Sequence, residues 1–181
     1  MDRETALALA REKTEKETTY RHLVSVEGVM RALARRLDGD EDLWALTGLF
    51  HDLDQDLTGE DPSRHAFIAA EWLREAGVDD RVINGVLAHA HEQFRKDTMD
   101  RAIVHADAIA GLLVASALVR PEKATGMKVS SVKKKLKDKA FAPGVNREEI
   151  TSVEDSIGLS TDDLIATSIE GLQEVAPEID L

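Results

Sequence analysis

Histidines and aspartates on otherwise apolar helix faces are the residues of this chain best suited to chemistry. Spacings of three, four or seven residues place apolar neighbours beside four of them, namely His22, His65, His89 and Asp107. A buried carboxylate is costly unless it is paired or bound to a cation. Either each residue has its own partner, such as Arg101 or Arg120 for the aspartate, or one or two divalent cations satisfy the whole set. Imidazole and carboxylate suit Fe, Mn, Ni, Co and Zn, and the chain has no cysteine to add a thiolate.

The adjacent pair His51-Asp52 adds two more ligands of the same kind. Consecutive residues of a regular helix point about 100° apart and do not normally share one ion. This pair stands where a predicted helix ends and a loop begins, so both side chains can reach one centre. A carboxylate can also bridge two metal ions, which a neutral histidine cannot do. Asp52 is therefore the residue that could link two ions.

The order of these residues resembles the HD superfamily of metal-dependent phosphohydrolases. The core motif of that family is a histidine, a His-Asp pair and a distal aspartate, which here match His22, His51-Asp52 and Asp107. The stretch from Gly48 to Asp54 resembles the HDIG form of the motif, with Asp54 in place of the glycine. The match extends over about residues 20–121. The resemblance implies an all-α fold, an irregular helical bundle of the HD-domain type.

Two further histidines resemble those of family members that bind two metals. His65 and His89 each occur in a helical context like that of the additional ligands in such members. The resemblance implies that His22, His51, Asp52 and Asp107 hold one divalent ion. Asp52 would bridge to a second, held also by His65 and His89, with Fe, Mn, Ni, Co, Zn or Mg as candidates.

Two other histidines need separate assignments. His91, two positions after His89, is an alternative to it as a ligand. His105 is two residues from Asp107 and should point elsewhere, so we expect it on the surface or in a supporting position.

The chemistry implied is hydrolysis of a phosphomonoester or phosphodiester, with small nucleotides as favoured substrates. Two metal ions can share and acidify a water and hold phosphate oxygens for attack. Asp52, the predicted catalytic residue, would keep the ions together and help to position the nucleophile. Asp54 could orient a ligand, accept a proton or be a simple loop carboxylate. Alternative functions are oxygen-dependent cleavage at a di-iron site and ligand binding without turnover.

Helical periodicity dominates the elements that must position these residues. The pattern predicts helices at about 3–16, 20–37, 41–50, 62–77, 79–91 and 98–118, with a loop over 54–60. Asp40, Asp61 and Asp79 are predicted N-caps, with Pro62 at the first helical position after Asp61. Asn146 and Ser160 predict the starts of two short C-terminal helices.

The chain divides by composition into residues 1–121, the predicted metal-binding domain, and 122–181, a basic segment and C-terminal helices packed on the same domain. Residues 120–139 carry a net charge of +6, whereas the whole chain carries −12. This stretch is either a solvated lysine-rich face or a phosphate-holding flap. In the second case the contacts to substrate come from Arg120, Lys128, Lys133 and Lys134.

Composition limits the other function classes. The 181 residues are 43% hydrophobic and 32% charged, as in ordinary folded proteins. The negative charge argues against a general affinity for nucleic acid or anionic membranes. The apolar stretch 108–119 is too short to cross a bilayer, and the N-terminal residues show no secretory pattern. We therefore expect a cytoplasmic enzyme with a small phosphorylated substrate.

Overall fold

The computed structural model describes residues 1–59 and 61–181, and its regular elements within those ranges are helices. The predicted all-α fold is confirmed. The α-helices in chain order are α1 (Arg3–Lys13), α2 (Glu17–Arg36), α3 (Glu41–Phe50), α4 (Gln55–Thr58), α5 (Phe67–Glu75), α6 (Asp80–Ala90), α7 (Thr98–Leu118), α8 (Val129–Lys137), α9 (Arg147–Thr151), α10 (Val153–Ile157) and α11 (Thr161–Val175). Single 3₁₀ turns occupy Glu92–Phe94 and Ala176–Ile179.

Helix α2 lies at the centre and packs on α3, α7 and α11. Glycines permit the close approach of the backbones. A Cβ on Gly28 would lie 2.4 Å from the carbonyl oxygen of Gly171 in α11, and one on Gly48 would lie 2.6 Å from that of Val26. Such distances are below van der Waals contact, so only glycine fits at either crossing. The second crossing brings the end of α3, and hence His51, against α2.

Helix α7 supplies much of the core. By length and composition, its 21 residues form the one described helix that is long and apolar enough to cross a membrane. However, 67% of its apolar 18-residue stretch is buried inside the fold. Burial of this extent is what a core helix shows. Asp97 caps its start, accepting a hydrogen bond from the amide of Asp100, which in turn receives one from the amide of Asp97.

Several predicted boundaries agree with the structure. Helices α3 and α7 have the predicted limits, and Asp40 and Asp79 cap α3 and α6 through their side chains. The helix expected from Asp61-Pro62 begins only at Phe67. Asp61 instead accepts hydrogen bonds from Ser63 in a preceding turn. The expected loop contains α4, and its last residue, Glu60, lies outside the described residues.

The C-terminal region contains a longer helix than expected. Asn146 and Ser160 cap α9 and α11 as predicted. However, α11 has 15 residues and packs along α2, so the expectation of a short helix was wrong there. Its apolar residues explain this length, because Leu164, Ile165 and Leu172 are buried in the core. The division at residue 121 stays a prediction.

Candidate metal centre

Three of the six predicted ligands lie together on α2, α7 and the end of α3. His22 Nε2 lies 2.9 Å from Asp107 Oδ1, and His51 Nε2 lies 3.7 Å from the same oxygen. The donor atoms of these three residues lie within 4.8 Å of one another. His22 and Asp107 come from helices that pack directly, which is why residues 85 positions apart meet.

The other three ligands form a second group against the first. Asp52 Oδ1 lies 3.1 Å from His65 Nε2 and 3.2 Å from His89 Nε2. Its second oxygen, Oδ2, faces the first group, at 3.6 Å from His51 Nε2 and 4.0 Å from His22 Nε2. The two oxygens of one carboxylate are thus directed to different sets of histidines.

Backbone carbonyls hold two of the imidazoles in place. The Nδ1 of His51 donates to the carbonyl of Gly48 at 2.8 Å, and that of His89 donates to Val86 at 2.5 Å. When Nδ1 carries the only proton of the ring, Nε2 can offer its lone pair to a metal ion at the centre. Such a partner on the far nitrogen is typical of metal-binding histidines.

Asp54 plays the same part for His65. Its Oδ1 lies 2.8 Å from His65 Nδ1, and its two oxygens also accept from the amides of Ala66 and Ala69 at 3.2 and 2.9 Å. Asp54 is buried, so of the expectations for it, the one in which it orients a ligand fits this geometry.

Strain accompanies this arrangement. Ala66 has a φ of 67°, a left-handed conformation that costs an alanine on the order of 1 kcal/mol. The bonds to Asp54 hold the backbone there. The turn directs His65 to the centre immediately before α5 begins.

The electrostatics of the site follow from acids and imidazoles in contact. Burial alone would lower the pKa of His51, but the charges of Asp52 and Asp107 raise it to about 9. Burial would also lower the pKa of His65, but its hydrogen bonds with Asp52 and Asp54 and the charges of these acids raise it to about 9. Burial would raise the pKa of Asp52 and of Asp107, but their imidazole neighbours hold both well below the usual range.

The residues fit a divalent metal on two observations. His51 Nε2 is buried and has no hydrogen-bond partner, although it points to the acids. In the described part of the chain, Asp52 and Asp107 form ion pairs with histidines only. Neither carboxylate is thus paired with a lysine or arginine among the described residues. Four imidazole nitrogens and two such carboxylates are a donor set suited to transition metals.

The two remaining histidines lie outside this set. His91 Nε2 donates to the carbonyl of His65 at 2.9 Å and packs on Phe67. His105 is 3% exposed, and its Nδ1 donates to the carbonyl of Glu149 on α9. A surface position for His105 was therefore wrong, because α9 covers that face of α7.

No contact found in the described residues joins the predicted substrate-binding cations to the predicted metal ligands. Arg120 lies thirteen residues beyond Asp107, about 20 Å along the helix axis, and its guanidinium donates to the carbonyls of Lys123 and Thr125. Lys133 pairs with Asp162. Lys128 precedes α8 and Lys134 lies on it, both exposed. Their role in binding substrate stays a prediction.

A nearer cation was missed in the sequence. Arg95 donates to the carbonyls of Ala88 and His89 at 3.0 and 3.4 Å, so its guanidinium sits at the end of α6 beside a predicted ligand. The available signal was a basic residue just beyond a predicted helix C-terminus, where carbonyls attract a cation.

Comparison with known proteins agrees with this geometry. The family model described as HD domain matches residues 19–112, which confirms the predicted resemblance. The chain is 32% identical over 90 residues to Ribonuclease Y 2 of Levilactobacillus brevis, covering 50% of this chain and 17% of that protein. It is 38% identical over 89 residues to Ribonuclease Y of Fervidobacterium nodosum, with 49% and 17% covered.

A longer match has lower identity. Ribonuclease Y of Rubrobacter xylanophilus is 25% identical over 152 residues, which cover 82% of this chain and 29% of that protein. The chain thus spans less than a third of the length of these curated relatives. No solved structure matches the chain.

Proposed function

Because this chain belongs to the HD domain family of metal-dependent phosphohydrolases, we propose that it hydrolyses phosphate esters of small nucleotides at a centre of two divalent ions. The observation that carries the proposal is the position of Asp52. Its Oδ1 is 3.1 Å from His65 Nε2 and its Oδ2 is 3.6 Å from His51 Nε2. A carboxylate turned to two histidine groups is suited to bridging two ions.

Each group of ligands would hold one ion. His22, His51 and Asp107 form the first set and His65 and His89 the second, with Asp52 shared. Divalent ions at such a centre supply an acidified water nucleophile and neutralise the charge on the phosphate. Asp52 lies between the two sets and would connect them. Hydrogen bonds to Gly48, Val86 and Asp54 orient the imidazoles that face it.

The exposure of the ligands indicates where a phosphate would enter. The side chains of Asp107 and His22 are 35% and 24% exposed, whereas that of His51 is fully buried. His51 therefore forms the floor of the site and Asp107 part of its rim. Arg95, whose guanidinium donates to the backbone carbonyls of Ala88 and His89, is a candidate to contact a phosphate oxygen.

The first test combines metal reconstitution with a substrate panel. Protein freed of metal and reloaded with Mn²⁺, Fe²⁺, Co²⁺, Ni²⁺, Zn²⁺ or Mg²⁺ is assayed for release of phosphate from nucleoside monophosphates and diphosphates. The same samples are assayed for release of nucleoside monophosphates from cyclic nucleotides. We expect turnover with at least one ion. Absence of release with every ion would favour a binding module, and oxygen consumption by the Fe²⁺ form would favour the oxygenase.

A matched pair of variants ties that turnover to the centre. Asp52→Asn should bind fewer ions and lose activity by on the order of 10³-fold, while its helical circular dichroism is retained. Asp155→Asn makes the same change at an exposed position on α10 and should behave as the unmodified protein. Full activity in Asp52→Asn would refute the proposed centre.

RNA cleavage is a second candidate. The curated relatives are named ribonuclease Y, and residues 120–139 carry a charge of +6 that an RNA backbone could contact. The net charge of −12 weighs against it. Comparing kcat/KM for a labelled RNA oligomer with that for a mononucleotide, at two salt concentrations, distinguishes the two. A higher value for RNA that falls steeply with salt would favour the ribonuclease.

A further inference from the structure

Three aromatic rings form a cluster on the side of the centre that carries His65 and His89. The rings of Phe67 and His91 have centroids 4.5 Å apart and an angle of 32° between their planes. Phe94 lies 6.3 Å from each of them, edge to face with Phe67. The Phe67 ring is thus covered on one side by His91 and supported at its edge by Phe94.

Phe67 is unusually open for an aromatic side chain in this protein. It is 39% exposed, more than any other Phe, Tyr or Trp among the described residues. Large apolar groups are normally withdrawn from water, and this chain has few aromatic residues to spare. With His91 and Phe94 packed against it, the Phe67 side chain still keeps part of its surface open to a ligand.

The backbone fixes the cluster to the metal centre. His91 Nε2 donates to the carbonyl of His65 at 2.9 Å. The Phe94 amide donates to the carbonyl of His91, and the Phe94 carbonyl accepts from the side chain of Asn84. Phe67 follows His65 by two residues, a separation of at most about 7 Å along the chain. The cluster is therefore tied to the backbone of His65, a predicted metal ligand.

We propose that the exposed ring of Phe67 stacks on the base of the nucleotide whose phosphate lies at the metal centre. His91 and Phe94 act as positioning residues that keep the ring in place. This inference rests on the proposed function and names the part of the substrate that is recognised. Every base has a π face, so such a platform accepts different bases and selects nucleotides over phosphate esters that lack one.

The test compares a substrate with a base and one without. AMP and ribose 5-phosphate share the sugar phosphate, so the ratio of their kcat/KM values isolates the contribution of the base. Phe67→Leu keeps an apolar side chain that can pack on His91 but removes the ring, and it should lower this ratio by at least about fivefold. Phe67→Trp keeps a stacking surface and should maintain the ratio or raise it.

A binding measurement separates recognition from turnover. Calorimetric titration of a non-hydrolysable phosphonate analogue of AMP into the metal-loaded protein should show weaker binding for Phe67→Leu by a similar factor, with the matching analogue of ribose 5-phosphate as the reference. Leu118→Ala trims another exposed apolar side chain, at the far end of α7, and should leave the AMP preference unchanged.

The outcomes distinguish this inference from the proposed function. Hydrolysis of both esters with the same ratio in the unmodified protein and Phe67→Leu would overturn the stacking role alone. A fall in the ratio equally large in Leu118→Ala would also overturn it, because the effect would not be specific to the platform. Failure to hydrolyse either ester or any nucleotide with any ion would instead refute the phosphohydrolase activity itself.

Discussion

Glu27 and Asp52 are both carboxylates set among packed helices, but they are faced by different kinds of nitrogen. Glu27 is 1% exposed and is held by Arg3, at 2.5 Å from Nε, and by Arg31, at 3.3 Å. Arg3 is also paired with Glu178 at 3.0 Å. Asp52 is surrounded by imidazoles.

The two carboxylates differ in the positive charge that neutralises them, which is permanent at Glu27 and exchangeable at Asp52. A guanidinium remains charged at all ordinary pH values, and contact with Glu27 raises the pKa of Arg3 further. An imidazole can release its proton and present a lone pair to a metal ion instead. The bundle thus contains one acidic cluster that is complete in itself and another whose nitrogens can accept a cation.

The largest effect that would test this contrast is on stability. Glu27→Gln leaves Arg3 and Arg31 without their buried anion and should lower the free energy of unfolding by about 3 kcal/mol. Chemical denaturation of the metal-free protein measures the loss. The number of Mn²⁺ ions bound per chain should not change. If the variant lost metal along with stability, the two clusters would not be independent.

The next effect concerns the metal. An ion present at 100 times its dissociation constant should stabilise the protein by about 2.7 kcal/mol, or roughly 5–10 °C in Tm, because it binds the folded state alone. A chelator should reverse the shift. Glu27→Gln should show the same increment from its lower baseline, and Asp52→Asn should show little. An equal increment in both variants would place the ion elsewhere.

A smaller effect is expected from the residue that orients a ligand. Asp54→Asn keeps the size of the side chain but weakens its hold on His65, so metal affinity should fall by about 10- to 100-fold. Calorimetric titration of metal into the protein should show the loss in one class of site, with the other unaffected. Equal weakening of both sites would indicate that Asp54 supports the fold rather than one ligand.

Helical periodicity explains how much of the candidate site could be predicted. The side chains of His22, His89 and Asp107 lie on the inner faces of regular helices, where spacing alone indicates their direction. The position of His65 depends instead on a left-handed turn at Ala66 and on hydrogen bonds to Asp54. No repeat in the sequence encodes that turn, which is why the helix was expected to begin at Pro62.

Long-range pairing accounts for what could not be predicted. Glu27 occupies a helix position between Val26 and Gly28 and shows its burial only once α1 brings Arg3 beside it. The length of α11 likewise depends on its fit against α2, where Gly28 and Gly171 allow the backbones to touch. Such contacts join residues far apart in the chain, and local patterns do not carry them.

The smallest expected effect is a dependence of metal affinity on pH. With the pKa of His51 and of His65 at about 9, both imidazoles carry a proton at pH 7 in the metal-free protein, and each ion must displace one. Affinity at each site should therefore rise by about tenfold from pH 7 to pH 8, and level off above pH 9.

The stability of the metal-free protein depends on pH in the opposite direction to its metal affinity. These raised pKa values stabilise the folded protein below about pH 6.5, and that contribution is lost as the pH rises through 9. The ion pair of Arg3 with Glu27 does not share this dependence, because the guanidinium of Arg3 stays charged over this range. Calorimetric titration of metal in buffers of different ionisation enthalpy would count the protons released when an ion binds. Release of none at pH 7 would show that the imidazoles are already neutral, and the contrast between the two clusters would then rest on geometry alone.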